Sequence, residues 1–316
     1  MYGLNRQLMR TFARHFCWSA LVFCWLVGCA EVRTTYTLPP TNTKNIDPDT
    51  SKKLEDYYGE LATTLQSRGL LRTDRHASDI PYSVDDLVRN FETIVFYDEY
   101  QRGSAFEKSK GKKAKLSKWV EPIKLQIHFG PSIAQTTVND DKNTIEAFVS
   151  QVASITSHPM SIVAENGNFD VLISREYVYR ALLDELKAKG APVTPGVNRI
   201  LEQMPRNVHC LVLAFSDVNS KDAYSYALAV IRAEHPKILK QACIHEEIAQ
   251  GLGLGNDSPR ARPSIFNDDD EFALLTDHDA ILLEMLYDPR LTPGLSLSKA
   301  RPILHKIASE LTQKDI

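Results

Sequence analysis

The stretch Ile238 to Asp257, ILKQACIHEEIAQGLGLGND, constrains this chain more than any other. Ile238, Leu239, Ala242, Cys243, Ala249 and Leu252 recur at near-helical spacing, which predicts a helix with those positions against a core. Gly251, Gly253 and Gly255 predict a tight turn that ends it, because glycine enters positive φ without a Cβ penalty. His245, Glu246, Glu247 and Gln250 are the polar groups of this helix. Glu246 and Gln250 are four apart and share a face. With the apolar stripe opposite, both should point at a cleft, with Glu247 beside them and Asn256-Asp257 returning from the turn.

The same stretch resembles a degenerate form of the metzincin zinc-peptidase helix, H-E-x-x-H-x-x-G-x-x-H. Aligned on the glycine, Glu247 falls on the general-base position and Gly253 on the turn. The three ligand positions carry Glu246, Gln250 and Asn256 in place of histidine. The register that starts at His245 puts Ala249 on the second ligand position. Neither register supplies three histidines.

Glu247-x-x-Gln250-x-Leu252-Gly253-Leu254-x-Asn256-Asp257, with Asn90-Phe91, Lys118-Trp119 and Asp279 to Tyr287, resembles an uncharacterised bacterial family of secreted proteins and lipoproteins, grouped by fold with metzincin-like peptidases. The likeness covers about Tyr82 to Gly294. It implies an α+β fold: a metzincin-like (zincin) domain with a mixed twisted sheet packed on the motif helix, and helical appendages at both ends. It implies a location and no reaction.

The N-terminal segment reads as a targeting signal. Arg6, Arg10 and Arg14 precede an apolar run from Phe16 to Val27, short for a membrane span. Leu26-Val27-Gly28-Cys29 resembles a bacterial lipobox, in which Cys29 is lipidated and becomes the mature N-terminus. Ala30 after it implies sorting to the outer membrane, on its periplasmic face. An ordinary transmembrane anchor and a simple cleaved signal are the alternatives. The expected order is a signal peptide at 1–28, a tether at 29–50, a helical appendage at 51–81, the domain at 82–294 and a C-terminal helix at 295–316.

Five cysteines are present. Cys17 and Cys24 lie in the signal and Cys29 at its end, which leaves Cys210 and Cys243. Two cysteines in an oxidising compartment invite one disulfide; two buried free thiols are the alternative.

The net charge of −3 favours no nucleic-acid partner. Ser51 to Leu71, Ser83 to Tyr100, Asn143 to Thr156, Glu176 to Lys189, Asp277 to Tyr287 and Ser298 to Leu311 read as helices. Ile123 to Phe129, Met160 to Ala164, Phe169 to Ile173, Val208 to Phe215 and Tyr224 to Ile231 read as strands. Lysines at 108, 110, 112, 113, 115 and 118 read as a solvated loop, or as a contact with anionic lipid or glycan.

Three functions compete. A metal-dependent hydrolase would use Glu247 as general base on a metal-bound water. Glu246, Gln250, Asn256 and Asp257 are oxygen donors, which disfavour zinc and suit calcium or magnesium, or no metal at all. His245 is a further candidate ligand, and Asn267 to Glu271 a further acidic stretch. A non-catalytic envelope protein would use the same groups as a polar cleft for a peptide, a glycan or another envelope protein. A structural lipoprotein scaffold is the third reading. Among these, the binding module ranks ahead of the hydrolase because every ligand position lacks histidine.

Overall fold

The computed structural model describes residues 48–99, 106, 108–109, 111–216, 222–267 and 269–313. The expected signal peptide, Cys29 and most of the expected tether lie outside these residues. The described elements run α1 (Pro48–Ser67), α2 (Val84–Val95), β1 (Lys118–Trp119), β2 (Ile123–Phe129), α3 (Gln135–Thr156), β3 (Met160–Ile162) and β4 (Phe169–Ser174). A 3-10 turn (Glu176–Val178) then leads into α4 (Tyr179–Ala188), α5 (Pro195–Glu202), β5 (Cys210–Ser216), β6 (Ala223–Arg232), α6 (Lys237–Leu252), α7 (Asp277–Tyr287) and α8 (Leu297–Thr312). Among the described residues no helix is long and apolar enough to cross a membrane.

One sheet organises them. Its order is β1-β6-β4-β2-β3, with β5 also on β6. The β1–β6, β2–β3, β2–β4 and β4–β6 pairings are parallel, and β5 runs antiparallel to β6. β4 is buried at every position, as a parallel strand covered on both faces must be. Alternation along β4 and β6 separates two cores. Phe169, Val171, Ile173, Ala227, Ala229 and Ile231 join the main core with α2, α3, α6, α7 and α8. Leu172, Tyr226, Leu228 and Val230 join the smaller core with α4 and α5. Helices are interspersed among mostly parallel strands, so the fold is mixed α/β where α+β was expected; the sheet is mixed, as expected, through the antiparallel β5.

Several boundaries differ from the sequence reading. α2 stops at Val95, where the Phe96 N–H still bonds back to Glu92. α3 begins at Gln135 and not at Asn143: Gln135 to Lys142 is helical although it shows no apolar period. α5 is not among the helices expected from sequence: Thr194 caps it through the Val197 N–H and Pro195 opens its first turn. Pro236 stands just before α6, as its N-cap. α7 has the expected bounds, and Thr276 and Asp279 close its N-terminus as a capping box.

α1 lies against the N-terminal half of α6. Tyr58, Ala62, Leu65 and Leu71 form a third cluster with Leu239 and Ala273. The fully buried Ser51 donates to Glu234 and accepts from Arg175. The Cys210–Cys243 disulfide is formed, with Cα atoms 5.9 Å apart, and it ties the start of β5 to the middle of α6.

Candidate functional site

α6 is not the two-faced helix that its sequence suggests. Leu239, Cys243, Ile244, Glu247, Ile248, Ala249, Gln250, Gly251 and Leu252 are all buried. It packs on β5, β6 and α3, with α1 against its N-terminal half and α7 at its C-terminal end. A helix enclosed in this way buries whatever polar groups it carries. Lys240 is buried with Asp141 at 3.0 Å, and Glu247 is only 3 % exposed.

The C-terminus of α6 is held by the residues that accompany the motif in sequence. Trp119 Nε1 donates to the Gly251 carbonyl at 2.8 Å, and Tyr287 Oη donates to the Leu252 carbonyl at 3.1 Å. These satisfy two of the carbonyls a helix end leaves open. Lys118 donates to the carbonyls of Leu286 and Asp288 at the end of α7. Burial lowers its pKa to about 8. Phe91 is fully buried, and the side chains of Asn90 and His278 meet at 3.0 Å.

The three glycines do different work. Gly253 has φ +127, and its N–H bonds to Gln250 O at 2.9 Å. Gly251 lies inside the helix; a Cβ there would stand 2.5 Å from Phe169 Cζ. It is needed for close approach to the sheet, which corrects its reading as a turn residue. A Cβ on Gly255 would meet nothing within 4 Å.

Carboxylate oxygens of Glu246 and Glu247 and the Sγ of Cys210 lie within 4.8 Å of one another. The sulfur is bonded to Cys243, so it offers no thiolate to a metal. Glu246 is half-buried. Glu247 Oε2 is buried and has no hydrogen-bond partner among the described residues. Burial raises the pKa of both carboxyls well above the usual range, and the charges of Asp257 and Glu99 add to it.

Gln250 Nε2 donates to Asp257 Oδ1 at 3.2 Å, so Asp257 returns from the glycine turn to the helix as expected. Asn256 does not come with it. Its Nδ2 donates to the Thr93 carbonyl at 2.9 Å, which pins the turn to the end of α2. His245 lies over the Phe148 ring with centroids 3.9 Å apart, and its Nδ1 accepts the Leu275 N–H at 3.0 Å. Burial lowers its pKa to about 3, so it is a neutral packing group with one nitrogen engaged. In the acidic stretch, Asn267 donates to the Ala261 carbonyl, and Glu271 binds Arg262 at 2.6 Å. Asp268 lies outside the described residues.

Glu99 carries no sequence signal for this site. It sits after α2, about 150 positions from the motif in sequence, and only the tertiary fold brings its charge to α6. Lys108, from the lysine-rich segment, donates to it at 3.0 Å. Among the described residues the acids around the niche thus include Glu246, Glu247, Asp257 and Glu99, and Lys108 donates to the last.

Residues 84–306 match the family described as Protein of unknown function (DUF2927). The chain belongs to this family. The match spans more than half of the 316 residues and takes in every element from α2 to α7, the motif helix included. No curated protein matches the DUF2927 chain.

Proposed function

We propose that this DUF2927 protein is a lipid-anchored envelope protein whose α6 niche binds a peptide or glycan without cleaving it. The observation that carries the reading is the donor set. The groups at the niche are carboxyls and an amide, and the one sulfur is locked in a disulfide. Zinc hydrolysis needs imidazole, thiolate or carboxylate ligands around an open position with a metal-bound water. Here the position of the third ligand, Asn256, is turned to α2. The mixed sheet with one antiparallel edge strand, followed by the motif helix and its glycine turn, supports a metzincin-like ancestry for the fold.

The anchor is proposed from sequence alone. Cys29 follows an apolar run of signal length, and Ala30 favours the outer membrane. Replacing Cys29 by Ala should leave the protein unlipidated and move it from the membrane to the soluble fraction. Lipid labelling unchanged in that variant overturns the anchor.

The binding reading is tested with the full chain, casein and peptidoglycan, with and without added zinc. Expected are co-sedimentation with one of the two polymers, no cleavage, and at least tenfold weaker binding in Glu246→Gln. Turnover that disappears in Glu247→Gln, with the melting temperature kept, would establish the metal-dependent hydrolase with Glu247 as its base.

A further inference from the structure

Glu247 poses a problem that the protein alone does not solve. The residue is only 3 % exposed, and Oε2 has no hydrogen-bond partner among the described residues. Buried polar atoms are nearly always paired, and the exceptions point to an ordered water, an ion or a functional role. Beside it stands Glu246, whose carboxylate lies within 4.8 Å. Asp257 is held towards the helix by Gln250, and Glu99 adds a fourth carboxylate to the neighbourhood. Lys108 reaches Glu99. Adjacent carboxylates repel each other and lose hydration on burial, and among the described residues no cation is hydrogen-bonded to Glu247 Oε2.

We propose that Glu246 and Glu247 hold a divalent, oxygen-preferring cation of the calcium and magnesium class. Asp257 and Glu99 supply further negative charge around it, and the Cys210–Cys243 disulfide forms its wall. The chemistry of the donors selects the ion. Carboxylate and amide oxygens suit hard cations, whereas a soft or borderline metal would need the sulfur that the disulfide has consumed. Glu246 is half-buried where Glu247 is enclosed, so it is the side of the pair nearer to solvent. A cation held by two side chains keeps coordination positions for water or for ligand oxygens. This inference rests on the same niche as the proposed binding function and names its first ligand: a cation through which a sugar hydroxyl or peptide carbonyl could be held.

Calorimetric titration of the full oxidised chain with calcium chloride, and separately with magnesium chloride, tests it directly and needs no knowledge of the polymer. The expected result is one ion per chain, a melting temperature that rises with the ion and falls with a chelator, and at least a tenfold loss of affinity in Glu247→Gln. Glu246→Gln, at a less buried position, should show the same loss and guards against a folding failure of the first variant. Asp85→Asn, an exposed carboxylate on α2, should bind as the wild type does. No saturable heat with either ion, or equal affinity in all three variants, would overturn the proposal. So would zinc binding that appears only after reduction, because it would assign the site to a Cys210 thiolate. Polymer binding that persists without any ion would remove the cation and leave the binding function standing. Hydrolysis with the ion bound would do the reverse.

Discussion

Gln250 Nε2 donates to Asp257 Oδ1 across the glycine turn, 3.2 Å apart. The bond joins the last turn of α6 to the loop that follows and keeps a carboxylate close to Glu246 and Glu247. Gln250→Ala removes the donor and leaves Asp257 facing two acids without it. A hydrogen bond to a charged group contributes about 1.5–3 kcal/mol. Urea unfolding of Gln250→Ala should show a loss in that range, and Asp257→Asn, which keeps an acceptor and removes a charge, should lose less.

Gly253 has two reasons to be glycine. Its φ is +127, and a Cβ would stand 2.4 Å from the Ser117 carbonyl oxygen. That oxygen belongs to the backbone just before β1 and cannot swing aside. Gly253→Ala should therefore cost more than about 1 kcal/mol, the strain of that φ alone. Gly255→Ala, where a Cβ meets nothing, should stay within about 0.5 kcal/mol of wild type. Equal melting temperatures for the two variants would refute this division of roles.

The disulfide closes a loop with a sequence separation of 33. In the chain-entropy description a loop of that length contributes about 4 kcal/mol. The double variant Cys210→Ala/Cys243→Ala should lose up to that amount in denaturant. It should also lose order at Glu246 and Glu247, whose carboxylates lie against Cys210 Sγ. Stability unchanged by reduction in a fully thiol-titrated sample would show that the tie adds nothing.

Periodicity located α7 to the residue and most strands to within two, because their buried positions alternate or recur cleanly. It failed for α3, where Ile133 to Lys142 has no apolar stripe, and for α5, eight residues capped by Thr194 between two breaks. The pairing of Cys210 with Cys243 was legible because nothing else in the predicted mature chain could partner either. The site was legible in its residues and not in its surroundings. Ile244 and Ile248 lay between the polar positions of α6, and together with the stripe they mark a helix buried all round. The sequence reading placed them on no face, and so expected an open cleft where Glu247 is enclosed. Glu99 and the use of Asn256 on Thr93 depend on tertiary contacts that no local pattern records.

The last prediction concerns acid. His235 is 4 % exposed beneath the Tyr58 ring, whose centroid is 4.2 Å away. Its Nε2 lies 2.8 Å from the His209 carbonyl oxygen, which needs a proton on that nitrogen, and its Nδ1 is buried without a partner. Protonating Nδ1 would put a second N–H and a charge where no acceptor waits. Burial accordingly lowers the pKa to about 3, with the nearby Arg232 and Lys240 charges acting in the same direction. The unfolded chain takes up this proton near 6.5. Between 6.5 and 3 the unfolded state thus binds more protons, and stability falls as pH falls, by up to about 1.4 kcal/mol per pH unit from this group. His245, also lowered to about 3, acts in the same direction, while the raised carboxyls of Glu246 and Glu247 act in the opposite one. Only a difference measurement isolates His235. In His235→Gln the amide can still donate to the His209 carbonyl but takes up no proton. The wild type should lose more stability between pH 7 and pH 5 than this variant, with a gap approaching 1.4 kcal/mol for each unit below 6. Parallel curves for the two proteins would mean that His235 is not held neutral by the fold.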